Sequence, residues 1–285
     1  MDKEMRSEYL IIDGVRTHIL RAGAGPLLLL IHGLGAPQMW QRVIEPLSRA
    51  FDVMVVSLPG FEESDCPPNL WSTRDCAVFL KTLIGKVADL PVNLVGISYG
   101  GQIVTTFATM FPEQLIKLVL IASTGLQPAR WYTRSNVVWN SIAAVINYTV
   151  MRSTTALGIL SRRSYYNISA RPDDFVKKFA KTLSEREKRD AWLNALRNVL
   201  SPNSDFQARI ASIPHPTLIV WGAQDRTVPV KYAHEFHSRI PHAKLEIISE
   251  CGHSVPMEKP AELCEAIRNF VVQGADSIIA HEKES

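Results

Sequence analysis

The stretch NLVGISYGGQ, residues 93–102, places a serine between glycines where an apolar run ends. Gly96, Ser98 and Gly100 fit the pattern G-x-S-x-G, in which a sharp turn from a strand into a helix exposes the serine hydroxyl. Small neighbours are needed because the turn brings backbone segments close together. The pattern alone is equally consistent with a glycine-rich turn, so the rest of the chain must decide whether Ser98 is a nucleophile.

Apolar runs and helix-length stretches alternate along most of the chain. Nearly continuous apolar runs, typical of strands buried on both faces of a parallel sheet, occur at residues 26–32, 52–58, 92–97 and 115–123. Amphipathic stretches near 37–50, 72–89 and 99–111 have the length of helices, and residues 8–23 have the pattern of a β-hairpin. The alternation resumes with strands at 216–222 and 244–249 and helices near 230–240 and from about 260. These segments predict a mostly parallel, doubly wound α/β sheet.

The alternation is interrupted between Ser123 and Pro216. A simple crossover between parallel strands takes on the order of a dozen or more residues, so this much longer interval contains an insertion. Its helix-forming and aromatic residues predict a helical cap over the carboxyl edge of the sheet. We therefore expect a first part of the core at 1–124, the cap at 125–208, and a second part of the core at 209–285 with a frayed C-terminal tail.

A serine hydroxyl needs a neighbouring base, usually an imidazole that a carboxylate orients. The stretch WGAQD places Asp225 just after a predicted strand, and CGHSVP places His253 in the loop after the last one. Three loops that follow strands of one parallel sheet meet at the same edge. Ser98, Asp225 and His253 are therefore the predicted catalytic triad, with a structural turn serine and a capping role for Asp225 as the alternatives.

The stretch HGLG, residues 32–35, follows another predicted strand. Acyl transfer builds negative charge on the former carbonyl oxygen, and backbone N–H groups aimed at that oxygen stabilise it. We assign these donors to Leu34 and Tyr99, and expect His32 to brace the loop rather than perform chemistry. Such a site contains its own nucleophile, base and oxyanion donors, so no cofactor and no metal are expected.

In order along the chain, the motifs HGLG, PGF, GISYGG, WGAQD and CGH resemble those of the α/β-hydrolase family, over roughly residues 7–124 and 209–272. The resemblance implies the α/β-hydrolase fold, with Ser98 as nucleophile, His253 as general base and acid, and Asp225 as orienting carboxylate. The serine excludes the haloalkane dehalogenase and epoxide hydrolase branches, which use an aspartate nucleophile. Two positions depart from the family pattern: Ser57, where many relatives have Asp, and Glu62, where Gly is frequent.

Composition limits the partners and the location that we expect. The chain has 31 basic and 28 acidic residues, too balanced overall to indicate a nucleic-acid partner. No conventional signal peptide begins the sequence, and the longest uncharged run in the insertion, 135–151, is shorter than the roughly 20 residues of a membrane span. We expect a cytoplasmic protein whose four cysteines, which form no C-x-x-C pair, are reduced thiols. The sequence does not indicate an oligomeric state.

The predicted cap is basic, with 14 lysines and arginines against 6 acidic residues between Leu126 and Arg209. The excess favours an anionic substrate or partner, although a solvated helix face explains much of it. The leading functional hypothesis is a serine carboxylesterase that acts on a small-molecule ester or related acyl compound. The alternatives are a carbon–carbon bond hydrolase resembling the meta-cleavage-product hydrolases and a ligand-binding protein without turnover. Arg162 and Arg163 favour the carbon–carbon bond hydrolase, because they could bind a carboxylate. Ser254 is an argument against it, because a tryptophan typically follows the catalytic histidine in those hydrolases.

Overall fold

The computed structural model describes residues 5–88, 91–201 and 204–272. Eight strands form one sheet in the order β1-β2-β4-β3-β5-β6-β7-β8. Their bounds are β1 Arg6–Ile12, β2 Val15–Gly23, β3 Leu27–Ile31, β4 Asp52–Val56, β5 Val92–Ile97, β6 Leu115–Ile121, β7 Thr217–Gly222 and β8 Lys244–Ile248. Strand β2 pairs antiparallel with both β1 and β4. The other six strands, in the sheet order β4-β3-β5-β6-β7-β8, pair in parallel with their neighbours. The predicted mostly parallel α/β-hydrolase sheet is confirmed.

Helices cover the sheet and also fill the interval between β6 and β7. Their bounds are α1 Ile44–Ser48, α2 Thr73–Val87, α3 Tyr99–Met110, α4 Asn136–Thr149, α5 Thr154–Arg162, α6 Phe175–Thr182, α7 Arg186–Leu200, α8 Ser204–Arg209, α9 Lys231–Arg239, α10 Val255–Glu258 and α11 Pro260–Val272. Five of these, α4 to α8, lie in the insertion. The predicted C-terminal fraying falls in residues 273–285, outside the described residues.

Burial on both faces explains why the central strands have continuous apolar sequences. All six residues of β5 and all six of β7 are buried, because helices pack on both faces of the sheet. The edge strands β1 and β8 contain mainly exposed or half-buried residues, as expected where one side has no neighbouring strand. The strands β3, β5 and β7, which precede the HGLG loop, Ser98 and Asp225, each have a neighbouring strand on both sides.

The stretch 37–50 differs from the single helix that its pattern predicts. It forms a 3₁₀ turn over Pro37–Trp40 and then the short helix α1. Pro46 lacks a backbone N–H and would break a helix that ran through it, but a proline is tolerated in a first turn. The helix accordingly begins at Ile44, two residues before the proline.

Candidate active site

Ser98 lies on a strained turn between β5 and α3. Its backbone has φ 56° and ψ −119°, a conformation that non-glycine residues rarely adopt and that costs about 1–3 kcal/mol. Neighbouring backbone groups hold it there: the Ser98 N–H donates to the Ile121 carbonyl at 2.9 Å, and the Ser98 carbonyl accepts from the N–H groups of Gln102 and Thr124 at 3.2 and 3.1 Å. The turn presents the hydroxyl at the carboxyl edge of the sheet.

The glycines around Ser98 are required by close packing. A Cβ atom on Gly100 would overlap the carbonyl oxygen of Ile31, and one on Gly96 would overlap that of Gly100. A Cβ atom on Gly33 would lie 2.8 Å from the Cβ of Ser98. The strand-turn-helix context required of the G-x-S-x-G pattern is therefore present.

Asp225 and His253 form a buried hydrogen-bonded pair after strands β7 and β8. The distance between His253 Nδ1 and Asp225 Oδ2 is 2.7 Å, and both residues are buried. The other carboxylate oxygen, Asp225 Oδ1, accepts from the backbone N–H groups of Thr227 and Val228 at 2.7 and 2.8 Å. These bonds fix the carboxylate, so it orients the imidazole and at the same time closes its own loop.

Ser98 and His253 line one cavity of about 340 Å³, together with the Leu34 segment. The structure thus brings together the loops that follow β3, β5 and β8, while Asp225 lies behind His253. Tyr99 is the first residue of α3, so its N–H belongs to a helix N-terminus, where backbone donors point outward and favour negative charge. The arrangement has the parts of a nucleophilic acyl-transfer site.

His32 contacts the backbone on both sides of its imidazole. Its Nδ1 donates to the Gly33 carbonyl at 2.6 Å, and its Nε2 accepts from the Leu58 N–H at 2.9 Å. Complete burial lowers the pKa of His32 to about 4. The ring is therefore neutral at pH 7, with its proton on Nδ1, and it ties the HGLG loop to the segment after β4.

The buried His32 should make stability depend on pH. Because its pKa in the folded state lies below the unfolded value of about 6.5, the unfolded chain binds more protons, and the free energy of unfolding falls as pH drops from about 6.5 towards 4. We expect His32→Asn to remove up to about 3 kcal/mol of this decrease. Urea unfolding at pH 4.5 and 7 measures it, and the exposed His234→Asn is the control; equal pH dependence in both variants would contradict the assignment.

The insertion reaches the predicted oxyanion loop through α7. The indole Nε1 of Trp192 donates to the Leu34 carbonyl at 3.0 Å, and Nδ2 of Asn198 donates to the Tyr99 hydroxyl at 3.0 Å. Asn198 Nδ2 also donates to the Trp71 carbonyl at 2.8 Å. Both residues that carry the predicted donors are thus tied to one helix. Sequence reasoning missed this connection, because Trp192 is 158 positions from Leu34 and no motif links them.

We expect Trp192→Phe to lower kcat about tenfold, because the Leu34 carbonyl loses its partner and the loop that carries the Leu34 N–H becomes less well fixed. KM for a small neutral ester should change much less. Trp131→Phe is the matched control, because Trp131 lies in the same insertion but is 73% exposed. Steady-state kinetics with one chromogenic ester measures both variants. Similar kcat values for the two would show that the indole N–H does not position the loop.

Ser57 and Glu62, the two departures from the family pattern, each have a defined local environment. Ser57 Oγ lies 3.2 Å from His18 Nδ1, and its carbonyl accepts from the Ser64 hydroxyl at 2.7 Å. Glu62 has φ 42°, in the left-handed region that glycine adopts without strain. Burial raises the pKa of Glu62 to about 7, and Glu63 adds to the effect. Neither Ser57 nor Glu62 lines the cavity that contains Ser98.

A serine on a strained strand-to-helix turn, with a His–Asp pair after later strands of the same sheet, defines a serine hydrolase of the α/β type. Residues 26–260 match the family model described as alpha/beta hydrolase fold, so the chain belongs to that family. The match extends from β3 to the start of α11 and includes the insertion.

The most informative relatives are similar over nearly their whole length. The chain is 27% identical to 2-hydroxymuconate semialdehyde hydrolase of Pseudomonas sp. (strain CF600), over 95% of each chain. It is 28% identical to 2-hydroxy-6-oxo-6-(2'-aminophenyl)hexa-2,4-dienoic acid hydrolase of Metapseudomonas resinovorans, over 92% of this chain and 90% of the relative. A serine hydrolase involved in carbazole degradation has a similar structure, with a TM-score of 0.79, 25% identity, and coverage of 94% of this chain and 99% of that one.

A bacterial membrane phospholipase A shares the fold equally well, with a TM-score of 0.79 at 24% identity, over 94% of this chain and 86% of that chain. At this identity the similarity establishes the fold and not the substrate. Within residues 5–88, 91–201 and 204–272, no helix has the length and apolar character needed to cross a bilayer.

Proposed function

We propose that this protein hydrolyses a carbon–carbon bond beside a ketone in an acidic, conjugated substrate of the meta-cleavage-product type. One observation carries the proposal: the cavity that contains Ser98 and His253 combines apolar walls with the arginines Arg130 and Arg163. The names of the relatives, which are hydrolases of hydroxy-oxo-dienoic acids and a semialdehyde, support it. Ester hydrolysis, the leading hypothesis from sequence, becomes the second candidate.

The lining of the cavity suits a substrate with one acidic and one apolar end. Aliphatic and aromatic side chains dominate it: Met39, Leu157, Leu160, Phe175, Phe179, Trp192, Leu196, Val199, Leu200 and Val228. In the described part of the chain, the lining includes two arginines and no aspartate or glutamate. An anionic carboxylate placed there would meet only positive charge, and a guanidinium can bind it through two parallel hydrogen bonds.

The chemistry follows from the roles proposed for the triad. His253 takes the proton of Ser98 as its oxygen attacks the ketone carbon, and the Leu34 and Tyr99 N–H groups stabilise the oxyanion. The dienol substrate first tautomerises to its keto form, which moves the enol proton to the carbon beside the ketone that Ser98 attacks. When the oxyanion collapses, the bond between this carbon and the attacked carbon breaks, and its electron pair enters the conjugated system as the enolate of the second ketone. The enolate oxygen takes the proton from His253. Water, activated by His253, then hydrolyses the acyl-enzyme and releases a second carboxylic acid.

We also propose that residues 125–208 act as a cap that selects the substrate, between core segments 1–124 and 209–285. Support comes from the cavity lining, because α5, α6 and α7 supply the side chains Leu157, Leu160, Phe175, Phe179, Trp192 and Leu196. The core supplies the reacting groups and the insertion supplies most of the apolar surface. Changes to the cavity-lining side chains of the insertion should therefore alter specificity before they alter chemistry, except at Trp192, which also holds the Leu34 loop.

One pair of assays separates the two enzyme candidates. A 6-phenyl or 6-methyl 2-hydroxy-6-oxohexa-2,4-dienoate, followed by loss of its dienolate absorbance, is compared with p-nitrophenyl acetate and butyrate. The proposal predicts a kcat/KM at least about 100-fold higher for the dienoate. The reverse ratio would favour an esterase, which Ser254 beside His253 also favours because these carbon–carbon hydrolases typically have tryptophan there. Turnover of neither class would favour a binding protein.

The neighbouring arginines Arg162 and Arg163 offer a matched test of carboxylate recognition. Both are exposed, but only Arg163 lines the cavity. We expect Arg163→Gln to raise KM for the dienoate about tenfold and to leave KM for a neutral ester nearly unchanged, since a hydrogen bond to a charged group contributes about 1.5–3 kcal/mol. Arg162→Gln should change neither value. Equal changes in KM for the two variants would indicate that these arginines belong to a solvated helix face and do not contact the substrate.

A further inference from the structure

Helix α4 carries an exposed apolar stripe. Val137, Val145 and Tyr148 are 77%, 61% and 77% exposed, and their spacing places them on one face of the helix. Ser141 and Ala144, which share this face, are also exposed. None of the 14 residues of α4 is charged, and only Trp139 is buried. The helix thus packs on the protein through few side chains and presents an uncharged face outward.

Exposed apolar side chains continue before and after α4. Trp131 precedes the helix and is 73% exposed, while Ile159 and Leu160 on the following helix α5 are 66% and 50% exposed. Single exposed apolar residues are common, but a contiguous group such as the one along one side of α4 is typical of an interaction surface. We call the outward sides of α4 and α5, with Trp131, the α4–α5 face.

The charge around this face has one sign. Residues 126–172 contain six arginines and no aspartate or glutamate. Five of them are exposed and form no ion pair within the described ranges of the chain: Arg130, Arg134, Arg152, Arg162 and Arg163. Arg134 lies just before α4 and Arg152 just after it. The apolar stripe is therefore flanked by positive charge that no acidic side chain of the described residues neutralises.

We infer that the α4–α5 face binds the surface of an anionic phospholipid membrane. Tryptophan and tyrosine prefer the boundary between headgroups and acyl chains, aliphatic side chains insert below it, and arginines attract anionic headgroups. A second copy of the chain fits this face less well. Symmetric pairing would place arginines opposite arginines, with no carboxylate in residues 126–172 to offset them.

The face adjoins the cavity that contains Ser98. Leu160 is half-exposed and Arg163 is exposed, and both also line that cavity. A membrane bound at the α4–α5 face would therefore lie beside a route to the nucleophile. Apolar compounds concentrate in bilayers, so this placement would supply them to the site. Membrane binding itself requires no catalysis and can be measured in Ser98→Ala.

Flotation with vesicles tests the inference. Full-length protein is mixed with vesicles of pure phosphatidylcholine or of phosphatidylcholine with 30% phosphatidylglycerol, at 50 and 300 mM NaCl. We expect at least tenfold tighter binding to the anionic vesicles at low salt and a marked loss at high salt. Arg152→Glu should weaken binding about tenfold or more, and Val145→Asp should weaken it as well.

Two controls match these substitutions in residue type and exposure. Arg268→Glu changes an exposed arginine of α11, and Val78→Asp changes an exposed valine of α2; neither should affect vesicle binding. Circular dichroism and Tm establish that all four variants fold. No binding to anionic vesicles, or equal losses in the control variants, would overturn the inference. A dimer in light scattering that Val145→Asp converts to monomer, without vesicle binding, would assign the face to a second copy.

Discussion

Replacing Ser98 with alanine is expected to lower kcat by about 10⁶-fold, which is the scale of losing the nucleophile of a triad. The fold should survive, because the turn is held by backbone hydrogen bonds of residue 98 to Ile121, Gln102 and Thr124 and not by the hydroxyl. Alanine also keeps the Cβ atom for which Gly33 leaves space. Steady-state kinetics with the dienoate and with a p-nitrophenyl ester measures the loss for both substrate classes.

The matched control for this variant is Ser238→Ala, which removes an exposed hydroxyl from α9. Its kcat should equal that of the wild type. Binding of the dienoate to Ser98→Ala, followed by its absorbance, should persist, because the apolar walls and arginines of the cavity are intact. Turnover by Ser98→Ala within tenfold of the wild-type rate would refute the assignment of Ser98.

Asp225→Asn is expected to lower kcat about 10⁴-fold while leaving the structure in place. The asparagine carbonyl can still accept from the Thr227 and Val228 N–H groups, which fixes the amide nitrogen towards His253 Nδ1. An amide N–H donates, so Nδ1 must then be the unprotonated nitrogen. The proton moves to Nε2, and the imidazole can no longer accept the proton of Ser98.

Asp52→Asn provides the contrast for this substitution. Asp52 accepts hydrogen bonds from the Arg21 guanidinium, but it begins β4 and so lies at the amino edge of the sheet, away from Ser98. We expect this variant to lose stability, measured as a lower midpoint in urea, with little change in kcat. A loss of kcat in Asp225→Asn no larger than in Asp52→Asn would mean that another acid orients His253.

The elements of the candidate site could be located in the fold from sequence because each depends on local sequence. Gly96 and Gly100 indicate a turn that no larger residue fits, and the all-apolar runs of β5 and β7 indicate strands that helices cover on both faces. Asp225 and His253 could be placed near Ser98 because residues that follow parallel strands share one edge of the sheet. These inferences need only the alternation of strands and helices, not their packing.

The remaining features depend on contacts between distant parts of the chain. The Trp192 indole donates to the Leu34 carbonyl only because α7 packs beside the HGLG loop. The spacing of apolar residues along α7 does not indicate this hydrogen bond. Arg163 lines the cavity and Arg162 does not, although they are consecutive arginines at the C-terminal end of α5. The break in the predicted helix at 37–50 has a local cause in Pro46. The prediction of one continuous helix followed the apolar pattern and gave this proline too little weight.

The choice between an ester and a carbon–carbon bond lies beyond the motifs, because both reactions use the same triad. The sequence favours an esterase through Ser254, whereas the arginines of the cavity and the similarity to dienoic acid hydrolases favour the second reaction. We propose that the walls of the cavity set the difference; the insertion contributes most of their apolar side chains. Substitutions at Arg163 and Trp192 therefore test separate parts of the proposal: recognition of the acid and placement of the oxyanion loop.

Intact-mass analysis after reaction with a fluorophosphonate, which adds covalently to activated serines, followed by peptide mapping, tests whether Ser98 is an activated nucleophile. We expect one adduct per chain, on the peptide that contains Ser98. Labelling should be slowed by orders of magnitude in Asp225→Asn, because the imidazole then cannot activate the serine. An unlabelled, folded wild-type protein, or an adduct on any other serine, would contradict the claim that Ser98, His253 and Asp225 form a working triad.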